Sequence, residues 1–137
     1  MVLMRHYKLF FAVFCVLPLV FLSACSHNPA TGQQQFTALM SPEQEVRVGA
    51  TEHEKITRQY GLVKDPKLKA YIKEIGKRVT ADTERPDVNY SFYVLDTPIV
   101  NAFAVPGGYI YISRGLLALA NSEAQVAAVL AHEAGHI

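Results

Sequence analysis

The pentapeptide His132-Glu133-Ala134-Gly135-His136 constrains this chain more than any other stretch. On an α-helix, residues i and i+4 lie one turn apart on one face, so both imidazoles can address a single ion. The H-E-x-x-H spacing therefore supplies a two-histidine clamp for zinc. The glutamate between them can reach a water at that ion and act as a general base. His132 and His136 are the candidate metal ligands, and Glu133 is the candidate catalytic residue. His53-Glu54 opens the same pattern, but its fifth residue is Thr57, a poor zinc ligand. The sparse apolar positions around His53 place it on the solvated side of a surface helix.

A zinc helix needs a scaffold, and 137 residues supply one domain or a fraction of one. Half the residues are hydrophobic and 18 % are charged, a globular balance. The formal charge is +1; without Arg5 and Lys8 it becomes −1. No basic patch points to nucleic acid. Both cysteines, Cys15 and Cys25, precede residue 26, so they cannot staple the body of the protein.

Arg5, His6 and Lys8 precede an apolar run over residues 9–22, interrupted by Pro18. That run is short of the ~20 residues that a membrane-spanning helix needs. A basic start, a short apolar core and small residues describe a signal peptide over residues 1–24. A transmembrane anchor is the alternative. Leu22-Ser23-Ala24-Cys25 resembles the bacterial lipobox, which implies that Cys25 is lipidated and becomes the first mature residue. An ordinary signal peptide with an incidental cysteine is the other reading. By resemblance to the bacterial sorting rule, Ser26 in place of Asp favours the outer membrane. Residues 25–40, polar and punctuated by Asn28-Pro29 and Thr31-Gly32, read as a tether.

From residue 41 the chain reads as an α+β domain. Ser41-Pro42-Glu43-Gln44 is a helix start with a capping box, and Gly61 closes the helix after Tyr60. Asp65-Pro66 starts a second helix, with Leu68, Tyr71, Ile72, Ile75 and Val79 as an amphipathic stripe. Its lysines form a solvated face. Three strands follow: Val88–Leu95, Ile99–Val105 and Tyr109–Ile112. Asp96-Thr97-Pro98 and Pro106-Gly107-Gly108 make the turns, the second of type II. The expected unit is a small, mainly antiparallel sheet packed on helices. Ser113 caps a short helix, Arg114–Ala120. Ser122, with Gln125 three residues on, caps the motif helix. Val126, Leu130, Ala134 and Ile137 should face the core, and Gln125, Val129, His132 and His136 a cleft.

The run Asn101-Ala102-Phe103-Ala104-Val105-Pro106-Gly107-Gly108-Tyr109-Ile110-Tyr111-Ile112-Ser113-Arg114-Gly115-Leu116-Leu117, then Ser122-Glu123 and the motif, resembles the HtpX-type zinc metallopeptidases. That family also includes the CAAX prenyl proteases. The lipobox and Asn28-Pro29-Ala30-Thr31-Gly32 resemble its lipoprotein branch. The resemblance implies a zincin-like fold over residues 41–137. It implies one Zn2+ held by His132 and His136, with Glu133 activating water and passing its proton to the leaving amine. An edge strand above the motif helix would align the substrate backbone, with Asn101, Ala102 and Phe103 as candidates; Ile99–Val105 and Tyr109–Ile112 both qualify. The partners implied are a protein or peptide substrate, the membrane through Cys25, and the outer-membrane assembly machinery. The implied site is the bacterial envelope, facing the periplasm. In this family the third zinc ligand is a Glu on a helix downstream of the motif. No residue follows Ile137 here, so the chain reads as the N-terminal part of a longer enzyme. The competing readings are a non-catalytic, chaperone-like binding lipoprotein and an inactive fragment.

Overall fold

A computed structural model describes Ser26–His27, Gln34–Gln35 and residues 40–137. The signal peptide over residues 1–24, the lipidation site Cys25 and most of the tether lie outside the described residues. Within the tether, β1 (Ser26–His27) pairs antiparallel with β2 (Gln34–Gln35). The body from residue 40 onward is a separate compact unit. Among its described residues, no helix is long and apolar enough to cross a membrane.

Helix α1 (Pro42–Tyr60) begins as the sequence dictates. The Ser41 Oγ accepts from the Gln44 N–H, and the Gln44 Oε1 accepts from the Ser41 N–H at 2.8 Å. Gly61 closes the helix at φ 70°, donating its N–H to the Thr57 carbonyl. Helix α2 (Pro66–Val79) is capped by Asp65, whose Oδ1 accepts from the Lys67 and Leu68 N–H groups. Its stripe buries Ile72 and Ile75, while Lys67, Lys69, Lys73, Lys77 and Arg78 stay exposed.

The sheet departs from the antiparallel expectation. Strands β3 (Ser91–Leu95), β4 (Ala102–Val105) and β5 (Tyr109–Ser113) lie in the order β3-β5-β4. β4 pairs antiparallel with β5, but β3 pairs parallel with β5, so the sheet is mixed. The physical reason is burial. In β5, Ile110, Tyr111, Ile112 and Ser113 are all 0 % exposed, and its side chains are bulky on both faces. Such a strand belongs in the middle of a sheet. β4 carries the small residues Ala102 and Ala104 and tolerates an edge. The segment from Asp96 to Asn101 is therefore not a tight turn: it steps over the width of β5, about 9–10 Å at the usual strand spacing.

Alternation along the strands sorts the layers. Val94, Ile110 and Ile112 face α2 and the motif helix, forming one core with Ile72, Ile75, Val126, Leu130 and Ala134. Tyr93, Tyr109, Tyr111 and Phe103 face α1. This second face corrects the placement of His53. Its ring is half-buried and stacks on Tyr109 at 5.0 Å, leans on Tyr93 at 4.5 Å, and pairs its Nδ1 with the Tyr111 hydroxyl at 2.8 Å. The tyrosines come from strands distant in sequence, so no local pattern around residue 53 shows them. The Pro106-Gly107-Gly108 hairpin holds Gly107 at φ 79°, the left-handed value that a type II turn requires after proline.

Candidate metal centre and cleft

Two helices at the end of the chain place the candidate site. Helix α3 (Arg114–Leu119) is capped by Ser113, and helix α4 (Glu123–Ala134) by Ser122. At Ser122 the expected capping box is shifted by one residue. The Ser122 Oγ accepts from the Gln125 N–H, but the Gln125 Oε1 accepts from the Asn121 N–H at 2.7 Å. Gln125 thus faces solvent at the helix start and does not line a cleft. On the inner side, Val126, Leu130 and Ala134 are buried as the periodicity predicts, with Ile137 packed against the same core. This fixes the rotation of α4 and turns His132 and Glu133 away from the core.

The helix ends before the motif does. Ala134 is its last residue, and Gly135 forms a tightened turn in which the His136 N–H donates to the Glu133 carbonyl at 3.1 Å. The turn keeps His136 under His132. Their Nε2 atoms lie 3.1 Å apart and their rings meet edge to face. Two nitrogens bound to one tetrahedral zinc at about 2.0–2.1 Å would be roughly 3.3–3.4 Å apart, so the pair fits one metal ion. Both residues are solvent-accessible. Among the described residues, no cluster of three or more His, Cys, Asp or Glu side chains is arranged to hold a metal.

An open cleft of about 390 Å³ runs beside this pair. Val100, Asn101 and Ala102 line one side; Ala128, Val129, His132 and Glu133 line the other, with Leu116 from α3. Val129 and His132 meet there, and Glu133, which the periodicity did not assign to a cleft, joins them. His136 sits past the last helical turn and is not part of the lining. Of the three candidate edge-strand residues, Asn101 and Ala102 reach the cleft, whereas Phe103 is buried on the other face against Tyr111.

The strand order separates the two edge-strand candidates. β5 is central and has both neighbours, and β4 has only β5 beside it. Asn101 exchanges bonds with Ser113: its carbonyl accepts from the Ser113 N–H at 2.9 Å, and its N–H donates to the Ser113 Oγ at 3.1 Å. Antiparallel ladders alternate, so the N–H and C=O of Ala102 and Ala104 point away from β5.

Ser113 does more than the sequence showed. The same Oγ accepts from the Leu116 N–H at 3.0 Å, so one buried hydroxyl caps α3 and holds the start of β4. A serine ahead of a helix reveals the cap alone; the bond to Asn101 needs the antiparallel register. Arg85 was also missed. Its guanidinium donates to Glu45 of α1, to Asp87 and to the Ile137 carbonyl, joining the end of the motif segment to the first helix. These anions push the Arg85 pKa further up, with the Asp87 bond the largest cause.

Comparison with known proteins gives the chain its family. Over 100 residues the chain is 31 % identical to the beta-barrel assembly-enhancing protease of Yersinia pestis, covering 73 % of this chain and 21 % of that protein. Over 111 residues it is 29 % identical to the mitochondrial metalloendopeptidase OMA1 of Schizosaccharomyces pombe, covering 79 % and 33 %. The chain thus spans between a fifth and a third of the length of these curated relatives. The sequence signature of peptidase family M48 matches residues 66–137, from the start of α2 through both histidines, and the chain belongs to that family.

Proposed function

We propose that this chain carries the water-activating part of a zinc-dependent metalloendopeptidase. The observation that carries it is the convergence of His132 and His136 on one point, with Glu133 in the adjoining cleft. His132 and His136 would hold Zn2+ through Nε2. A catalytic zinc takes three protein ligands, and a downstream carboxylate would supply the third. Zinc, when bound, supplies a Lewis acid for the scissile carbonyl.

The chain's own residues perform the rest. Glu133 accepts a proton from the attacking water and returns it to the leaving amine, so its carboxylate must be ionised when the reaction begins. The Ala102 and Ala104 backbone groups bind an extended substrate as a strand added to β4. Ser113 holds the start of β4 against β5 and the first turn of α3 through Asn101 and Leu116. The name of the Yersinia pestis relative, a beta-barrel assembly-enhancing protease, supports a role beside the assembly of β-barrel proteins. In this reading residues 1–24 are a signal peptide, and lipidated Cys25 tethers the domain to the outer membrane, facing the periplasm.

The test is cleavage of unfolded casein by the full-length, zinc-supplied protein. Glu133→Gln should lower the rate by about 10²–10⁴-fold, the usual contribution of a positioned general base. A variant cutting at the wild-type rate would overturn the reading. Incorporation of labelled palmitate into wild type but not Cys25→Ala tests the anchor.

A further inference from the structure

The two candidate zinc ligands are held unequally. His132 lies inside α4, where the helix ladder fixes its backbone. His136 lies two residues past Ala134, the last helical residue. Its turn is closed by the His136 N–H on the Glu133 carbonyl and the Ile137 N–H on the Ala134 carbonyl at 3.2 Å. Helix ends of this kind fray, because their last carbonyls lack partners within the helix. Zinc demands the reverse, since both Nε2 atoms must meet one ion at about 2.0–2.1 Å.

Arg85 grips this turn from outside the motif. Its Nη1 donates to the Ile137 carbonyl, one residue beyond His136, at 2.9 Å. The guanidinium cannot rotate freely. Nε and Nη2 fork onto the two Asp87 carboxylate oxygens at 3.2 and 3.1 Å, and Nη2 also donates to the Glu45 Oε2 at 3.1 Å. Two carboxylates from separate segments, α1 and the turn after Pro86, thus aim Nη1 at Ile137. Arg85 and Glu45 are both half-buried, so solvent screens this pair less than a fully exposed one.

We infer that Arg85 is a positioning residue for metal binding: it clamps the Ile137 carbonyl and so sets the place of His136 beneath His132. The inference rests on the reading of His132 and His136 as zinc ligands. Arg85 acts through one backbone carbonyl, not through an imidazole. A lysine could keep that single bond but has no planar fork to hold Asp87 and Glu45 at the same time.

The test reads metal affinity and local opening apart from turnover. In the full-length protein, Arg85→Ala should weaken Zn2+ binding about tenfold, measured in competition with a chelating dye, the loss expected when a group that orients a ligand is removed. Arg85→Lys should recover part of it. In the metal-free protein, amide exchange in Arg85→Ala should quicken about tenfold or more at His136 and Ile137 but not at buried Leu130, which reports global opening. His132→Ala serves as the reference for a lost ligand. Uniform quickening of exchange would overturn the inference and leave the zinc reading standing. So would zinc affinity unchanged by Arg85→Ala in a protein whose affinity His132→Ala lowers. Affinity that survives His132→Ala as well would overturn both.

Discussion

The His53 Nδ1 and the Tyr111 hydroxyl oxygen lie 2.8 Å apart, which ties the middle of α1 to the central strand of the sheet. Burial of the imidazole lowers its pKa below the ordinary value, with Glu54 acting weakly the other way. The folded state therefore disfavours the proton that the unfolded chain accepts near pH 6.5. This contribution to stability is complete above about pH 6.5 and is lost as pH falls from there through the lower folded value. Urea melts between pH 8 and pH 5 should show wild type losing midpoint faster than His53→Gln. Tyr111→Phe should cost about 1 kcal/mol at neutral pH. Parallel pH profiles for wild type and His53→Gln would show that the ring does not sense pH.

Gly115 sits in the first turn of α3, where alanine would ordinarily help a helix by about 1 kcal/mol. Here a Cβ would fall 2.1 Å from the Pro98 carbonyl oxygen and 2.8 Å from that of Ile99. Backbone atoms cannot swing aside as a side chain can. Gly115→Ala should therefore destabilise by about 2–3 kcal/mol, read as a lowered urea midpoint with unchanged slope. An increase in stability would show that the loop entering β4 is free to move.

Ser113→Ala removes one acceptor from two backbone donors. The Leu116 N–H loses its cap, and the Asn101 N–H is left without a partner inside the fold. The expected loss is about 2 kcal/mol, and Ser113→Thr should recover part of it. Amide exchange should quicken at Asn101 and Leu116 together. A change confined to Leu116 would mean that the cap alone matters.

Zinc should stabilise the folded chain through His132 and His136, since both Nε2 atoms converge only in the folded helix and turn. With free Zn2+ a hundredfold above its dissociation constant, the gain is about 2.7 kcal/mol, and excess chelator reverses it. His132→Ala and His136→Ala should each abolish the shift in melting temperature. A shift that survives both substitutions would place the metal elsewhere.

Local chemistry was legible in the sequence because short-range contacts decide it. Ser41 with Gln44, Asp65 before Pro66, and Ser113 before α3 each satisfy helix-end N–H groups within four residues. The motif's own helix was legible for the same reason: Val126, Leu130 and Ala134 recur at the helical period and bury one face. That face dictates where His132 and Glu133 point. The convergence of His132 and His136 follows from a spacing of four residues.

Tertiary structure decided what depends on residues far apart in the chain. Strand propensity showed that three strands exist, but not that β5 would enter between β3 and β4. The need to bury Ile110, Tyr111 and Ile112 on both faces settled that order, and it made β4 the edge beside the motif helix. His53 looked solvated because its partners Tyr93, Tyr109 and Tyr111 lie 40 to 58 residues away and reach it only once the sheet forms. The cleft is likewise a product of three separate segments, the start of β4, α3 and α4. The sequence by itself determined the chemistry of the two imidazoles and the carboxylate. Only the fold determined which backbone edge and which apolar walls surround them.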